Sequence, residues 1–233
     1  GDGDGDGDGD TSTTGDGDGD GDGDGDGDGD GDGDGDGDPC GNGVIDGGEA
    51  CDGSNLNGIS TCAEVDGVYN GGTLGCAMDC SAYDVSACTT IANPIQICRN
   101  PNVSIQDYGN YNDSIPSIAT TQATITDVDV SVNISHTYIG DLDFAINHGG
   151  QNATLYDQNC GTEENIVATF NQGSSAFACA SSAIGATYGP TTTLDVFNGT
   201  NLGGPTQMTL ADNLGGDQGT WNEWCVTVSW ALP

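Results

Sequence analysis

Residues 123–135 read ATITDVDVSVNIS, and within that stretch Val128, Val130, Val132 and Ile134 fall on one parity, with Asp, Ser and Asn between them. Successive side chains of an extended strand point to opposite faces, so this spacing predicts a half-buried β-strand. WNEWCVTVSW (residues 221–230) repeats the pattern with Trp224, Val226, Val228 and Trp230. LDFAIN (Leu142, Phe144, Ile146) and NATLYD (152–157) predict two further strands. The segments NHGGQN, GTNLGGP and NLGGDQG supply turn signals between them. No stretch shows a helical stripe. Many strands, Gly-rich turns and no helix predict a mainly β chain built as an antiparallel β-sandwich.

Composition divides the 233 residues into three segments. Residues 1–39 are low in complexity: 17 Gly and 17 Asp alternate, interrupted once by TSTT at 11–14. Residues 40–89 contain six of the ten cysteines (Cys40, Cys51, Cys62, Cys76, Cys80, Cys88) and little apolar material. A segment that small cannot bury an adequate core and needs covalent staples. Residues 90–233 carry the strand pattern and the remaining cysteines, Cys98, Cys160, Cys179 and Cys225.

Charge excludes whole classes of partner. The chain has 37 acidic residues and one basic side chain, for a formal charge of −36. Phosphate recognition needs clustered Lys and Arg, so nucleic acid and anionic membrane surfaces are excluded as partners on composition. Cations remain, Ca²⁺ above all, because it takes hard oxygen ligands. Ten cysteines with no CxxC pair read as disulfides formed outside the cytosol rather than as a zinc site. No apolar run is long enough to span a bilayer. The chain opens inside the repeat, and an export signal is expected to have been removed or to lie upstream.

Two family resemblances add to this reading. Residues 40–88, with CGNGVID, CDG, TC, GGTLGC, DC and a closing DVSAC, resemble a cysteine-rich repeat of secreted and surface proteins of myxobacteria. That resemblance implies an extracellular, disulfide-stapled module. Residues 98–231 resemble the P domain that follows the catalytic domain of proprotein convertases, carried by VDVSVNISHTYIGDLDFAI, TLYDQNCGTEENIVATF, LDVFNGTNLGG and LADNLGGDQGTWNEWCVTVSW. It implies a jelly-roll-like sandwich, calcium binding, and a stabilising or targeting role. The segment IQDYGNYNDSIP departs from the family's early IPDNG-like signature. On the sandwich reading the first and last strands lie side by side, which pairs Cys98 with Cys225, while Cys160 and Cys179 bracket one connection and pair locally. The six cysteines of the small module then pair among themselves, in an order the sequence leaves open.

Catalysis finds little support. A nucleophile–histidine–acid triad needs a histidine held beside both partners. His136 shares the parity of the Val128–Ile134 face and is expected to be a partly buried, hydrogen-bonded histidine; His148, in the turn NHGG, is expected to be exposed. No GxSxG, HExxH or phosphate-binding loop is present. The chain is therefore read as a non-enzyme with no catalytic residue.

Calcium is the better candidate chemistry. Asp141 and Asp143 close the HTYIGDLD turn, Asp212 and Asp217 lie in DNLGGDQG, and Asp107 comes from the first loop, so loops at one end of a sandwich can gather all five. Asp46, Glu49 and Asp52 form a second candidate set in the cysteine-rich module. For both sets the competing reading is acidic turn residues that cap strands and loops. In the repeat, Asp16, Asp18, Asp20 and Asp22 stand for a carboxylate face: Gly and Asp keep their parity across TSTT, and same-face carboxylates would lie about 6.6 Å apart in an extended strand. Without a cation, repulsion and glycine entropy favour a swollen tether; with Ca²⁺ and neighbouring copies, a two-faced strand becomes possible. EF-hand and RTX templates fail for want of the bidentate Glu and the periodic apolar residue. The expectation is a secreted, calcium-binding structural or adhesive surface protein, extended in one form to a homopolymeric extracellular filament. The alternative is a monomeric surface lipoprotein or protease-accessory fragment, whose P-like domain binds an unidentified surface ligand above an acidic stalk.

Overall fold

A computed structural model of the chain describes residues 40–118, 120–179 and 183–233. The Gly-Asp repeat, and with it the candidate ligands Asp16, Asp18, Asp20 and Asp22, lies outside the described residues. The stretch Asp38–Pro233 clusters as one compact unit.

Its cysteine-rich part holds one helical turn, α1 (Cys62–Val65), and four short strands: β1 (Tyr69–Gly72), β2 (Gly75–Cys76), β3 (Tyr83–Asp84) and β4 (Cys88–Thr90). β1 pairs with β4 and β2 with β3, both antiparallel. Cys62, Tyr69 and Leu74 form a cluster of their own, too small to hold the segment together. Three disulfides supply the rest: Cys40–Cys80, Cys51–Cys76 and Cys62–Cys88. The six cysteines pair among themselves, as expected. Val68 leaves this small cluster and enters the main core of the chain. Around it, Gly67 N donates to Thr120 O, Ile91 N to Val68 O, and Gln122 N to the Asp66 carboxylate. The module is thereby stitched to the sandwich at a polar seam with one apolar peg.

Ten strands build the sandwich: β5 (Ile95–Arg99), β6 (Val103–Ile105), β7 (Asn110–Ile115), β8 (Thr124–His136), β9 (Leu142–His148), β10 (Gln151–Asp157), β11 (Ile166–Asn171), β12 (Ala183–Tyr188), β13 (Thr206–Asp212) and β14 (Gly219–Ala231). One sheet runs β12-β11-β8-β14-β5, with β6 also on β14; the other runs β10-β9-β13-β7. The fold is a mainly β, disulfide-rich sandwich of two facing sheets, and all pairings but one are antiparallel. The exception is the edge strand β12, which runs parallel to β11. A parallel partner needs the chain to return to the end where β11 begins. The Cys160–Cys179 disulfide ties that return to the residues just before β11. Cys98–Cys225 joins β5 to β14 across directly paired residues, as the sandwich reading requires.

The parity read from residues 123–135 is the parity of the core: Val128, Val130, Val132 and Ile134 are all buried. They meet Leu142, Phe144 and Ile146 of β9 and Met208 and Leu210 of β13 in a single apolar cluster. In β14 the same parity holds from Trp224 to Trp230, but a bulge between Trp221 and Glu223 shifts the register and turns Trp221 inward as well.

His148 corrects an expectation. It is buried rather than exposed, because it is the last residue of β9 and continues the inward series Leu142, Phe144, Ile146. The turn proper begins at Gly149. Thr206 Oγ1 and Asn201 O occupy its two ring nitrogens at 2.9 and 2.8 Å.

Candidate metal centre

Four of the five carboxylates expected at the sandwich end, Asp107, Asp141, Asp212 and Asp217, stand on segments that backbone hydrogen bonds link there, although no three of their oxygens lie within 4.8 Å of one another. A 3-10 turn at Ile139–Asp141 leads into β9 and sets Asp141 beside the strand end. β13 pairs with β9 so that Asp212 lies opposite Leu142, one residue from Asp141. The loop after β13 then folds back: Asn213 N donates to Asp141 O at 2.9 Å. From the β6–β7 loop, Asp107 accepts the amides of Gly216 (3.1 Å) and Asp217 (3.2 Å), one on each oxygen, and so zips the two loops together. Asp217 is held in turn by Thr137 Oγ1 at 3.0 Å.

The electrostatics of this cluster are adverse as they stand. Asp141 is only 3% exposed, and its Oδ1 has no hydrogen-bond partner. Burial pushes the Asp141 carboxyl above the usual carboxylate range, and the negative charges of Asp212, Asp217 and Asp107 push it further; only His136 opposes them. An unpartnered buried acceptor costs about 1–3 kcal/mol, and more if it is charged. A cation among these oxygens removes both penalties at once, whereas an uncharged donor would remove only one.

Asp212 is anchored differently. It is 1% exposed; its Oδ1 accepts the Leu214 amide (3.2 Å) and its Oδ2 lies 3.2 Å from His136 Nε2. His136 Nδ1 faces the backbone of Tyr138, 2.9 Å from its oxygen and 3.2 Å from its nitrogen. His136 is therefore hydrogen-bonded as its parity predicts, with both nitrogens engaged, and is buried fully rather than in part. Its link to Asp212 is not legible in the sequence, since the two stand 76 positions apart and on different sheets, β8 in one and β13 in the other.

Support for the turn that carries Asp141 comes from the disulfide-closed loop. Ile139 N donates to Glu163 O and Gly140 N to Gly161 O. A side chain at Gly140 would meet Gly161 Cα and O at 2.9 Å, so the close approach requires glycine there. The Tyr156 hydroxyl, whose ionisation burial disfavours, lies against the carbonyls of Ile139 and Asn159.

Asp143 does not join the cluster. It stands on the opposite parity of β9 from the core residues, half-buried, and takes the Asn213 side-chain amide at 2.6 Å. The set in the cysteine-rich module is also spent elsewhere. Asp52, 2% exposed, accepts the amides of Gly41, Asn42 and Gly43 at 2.9–3.2 Å, and Asp46 takes the Asn42 side chain. Glu49 caps the Asp46 amide through one oxygen, while its other oxygen is buried without a partner. Asp52, Asp46 and one oxygen of Glu49 organise turns, while Glu49 Oε1 stays without a partner, as Asp141 Oδ1 does.

Among the described residues, two trios of metal-capable atoms lie within 4.8 Å of one another: Cys40–Glu49–Cys80 and Cys98–Glu223–Cys225. In both, two of the three atoms are sulfurs of one disulfide, so neither is a metal site. The Asp107, Asp141, Asp212 and Asp217 oxygens are more widely spread, and a cation there would be completed by backbone oxygens, water or an outside ligand.

Known proteins supply no family. No protein-family model and no curated protein matches the chain. Solved structures with a partial likeness to it include two of one protein. One is the serine protease of Aeromonas sobria, at 15% identity over 60% of this chain and 28% of that one, with a TM-score of 0.35. The other is that protease in complex with its chaperone, at 14% identity over 62% and 28%, again with a TM-score of 0.35. The chain thus spans 28% of the length of these neighbours. Likeness at that score bears on neither the fold nor the function.

Five disulfides use all ten cysteines, the pattern of a protein matured in an oxidising, extracytoplasmic compartment. Among the described residues no helix is long and apolar enough to cross a membrane.

Proposed function

We propose that the chain is a secreted, non-catalytic Ca²⁺-binding surface protein with a structural or adhesive role, whose sandwich end holds the ion between Asp107, Asp141, Asp212 and Asp217. The observation that carries this reading is Asp141 Oδ1, buried and without a partner, in the negative field of Asp212, Asp217 and Asp107. Ca²⁺ is favoured over Mg²⁺ because three separate loops contribute, and Ca²⁺ tolerates irregular shells of six to eight oxygens. Extracellular modules bind it with Kd near 10⁻⁴–10⁻³ M, an order of magnitude suited to an incomplete protein shell.

A non-catalytic role is supported by the engagement of both His136 nitrogens and by the consumption of every thiol in disulfides. Assembly through the Gly-Asp repeat belongs to the same proposal: a carboxylate ladder and a Ca²⁺-binding head respond to one ion. The test is calorimetric titration of the full chain with Ca²⁺ and Mg²⁺, alongside Asp141→Asn. One Ca²⁺ site, distinct from the weak binding of the repeat and lost in the variant, supports the reading. Identical isotherms for the two proteins overturn it. Negative-stain microscopy with and without EGTA decides the polymer: fibres that dissolve on chelation support it, and monomers in millimolar Ca²⁺ refute it.

A further inference from the structure

Cys160–Cys179 differs from the other four disulfides in where its cysteines lie. Cys40–Cys80, Cys51–Cys76, Cys62–Cys88 and Cys98–Cys225 each include one buried member: Cys80, Cys51, Cys62 and Cys225. Cys160 is half-buried and Cys179 exposed, so this bond alone has neither end sealed in a core. Its surroundings also hold backbone strain. Among the described residues seven non-glycine residues take the left-handed conformation, and three of them lie between 158 and 165: Gln158 (φ 40°), Cys160 (φ 69°) and Asn165 (φ 59°). Such residues persist where the structure around them over-determines the chain. Exposed or strained disulfides are the labile ones.

The two ends of the closed loop are held differently. Two residues before Cys179, Phe177 packs against Tyr156, Phe170 and Tyr188, with ring centroids 4.5–6.1 Å apart. Opening the disulfide leaves that anchor in place, so the sandwich keeps its packing there. The segment after Cys160 is bonded instead to the turn that carries Asp141: Ile139 N donates to Glu163 O at 2.9 Å and Gly140 N to Gly161 O at 3.3 Å. We infer that Cys160–Cys179 is a redox clasp on the cation site, whose reduction by a low-molecular-weight thiol relaxes residues 158–164, loosens the Ile139–Asp141 turn and weakens Ca²⁺ binding. The inference rests on the Ca²⁺ reading of that site and adds its regulation. The chemistry is thiol–disulfide exchange. A thiolate attacks the exposed Cys179 sulfur, the bond to Cys160 breaks, and Cys160 leaves as a thiolate that takes up a proton. A second thiol resolves the mixed disulfide, so two thiols are oxidised to one disulfide while the protein's disulfide gains two electrons. Linkage is reciprocal: bound Ca²⁺ resists reduction of this bond by the factor that reduction costs in affinity.

The test has two arms on the full chain. In the first, wild type is exposed to graded reduced glutathione in EGTA or in millimolar Ca²⁺, alkylated, and mapped by peptide mass spectrometry. Cys160 and Cys179 are expected to be labelled before the other eight cysteines, and to need about tenfold more thiol in Ca²⁺. Simultaneous labelling of all ten, or another pair first, would overturn the inference. In the second, Ca²⁺ titration and hydrogen exchange compare oxidised wild type with Cys160→Ser/Cys179→Ser. The variant should bind about tenfold more weakly, within the usual span of coupling between sites, and exchange faster at the Ile139 and Gly140 amides. A variant that melts lower but keeps the wild-type isotherm makes the bond a plain staple and refutes the clasp. So does a variant that fails to fold, because the bond then supports the whole sandwich. A wild-type isotherm without any tight site overturns the Ca²⁺ reading and the clasp together, and oxidised wild type alone reveals it.

Discussion

Replacing Asp141 with Asn should stabilise the protein in EGTA and destabilise it, relative to wild type, in Ca²⁺. The asymmetry follows from the position of one atom. Asp141 Oδ1 is buried and unpartnered, and burial together with Asp212, Asp217 and Asp107 disfavours its charged form. Without a cation, Asn removes the charge while keeping the shape. The amide leaves the buried position as poorly hydrogen-bonded as before, so what the substitution relieves is the charge alone, worth about 1 kcal/mol for each pKa unit of upward shift. For a unit of this size each kcal/mol moves the melting temperature by about 2–4 °C, so the variant should melt a few degrees higher in EGTA. The sign with pH follows from the raised folded-state value. The penalty is absent below the ordinary carboxylate value of 3.8, where Asp141 is protonated folded or unfolded, and it develops as pH rises through the folded value. The variant's advantage should accordingly vanish near pH 3. With Ca²⁺ at about 100 times Kd, wild type gains about 2.7 kcal/mol, or roughly 5–11 °C, while the variant gains little. Differential scanning calorimetry at pH 7 in EGTA and in Ca²⁺ measures both arms, and the repeat does not confuse the readout because the transition reports the disulfide-stapled unit. A variant that melts at or below wild type in EGTA, with the same upward shift in Ca²⁺, would refute the reasoning.

Three further outcomes can be measured on the same preparation. Gly219→Ala places a methyl group against His136 Cδ2 at 2.5 Å and closer still to Ser135 O; overpacking against backbone costs about 1–3 kcal/mol or more, so melting should fall by several degrees, whereas Gly47→Ala, with nothing within 4 Å, should be neutral. At Asp113 burial raises the carboxyl, but hydrogen bonds from Arg99 and Trp224 outweigh it and hold the group below its ordinary value. That stability is present above 3.8 and is lost as pH falls through the lower folded value, so Asp113→Asn should cost about 1 kcal/mol at pH 7 and flatten the acid limb of a pH–stability curve. Asp52→Ala leaves the amides of Gly41, Asn42 and Gly43 without their shared acceptor; hydrogen exchange at those three amides should accelerate while the sandwich amides stay protected.

Strand parity was legible because it is local. Val128 to Ile134 and Trp224 to Trp230 face the core as their alternation demands, and His136 is buried for the same reason. β13 obeys the rule as well: Thr206, Met208 and Leu210 point inward, and the alternation in TQMTLAD was there to be found. His148 departs from the exposure expected of a turn because the parity of β9 runs to its last residue and the Gly-Gly turn begins one residue later. What parity cannot convey is register between strands distant in sequence, and the candidate site depends on it. Asp212 lies beside Asp141 because β13 pairs with β9 with Asp212 opposite Leu142. A slip of one residue would exchange the inward and outward faces of β13 and dissolve the cluster. The same logic separates two aspartates that look equivalent in GDLD. Asp141 precedes the strand and is fixed by a turn braced on the Cys160–Cys179 loop, whereas Asp143 lies within the strand on its outward parity. The acidic motif therefore marks the region, and the strand boundary between Asp141 and Leu142 decides which carboxylate is driven into burial without a partner. That boundary is why Asp141 rather than Asp143 should control Ca²⁺ affinity: Asp143→Asn is expected to leave the isotherm within about threefold of wild type under the same titration, a change of under 1 kcal/mol. A loss at Asp143 equal to that at Asp141 would mean that the ion is held from the outer face of the sheet, and the geometry proposed for the centre would have to be abandoned.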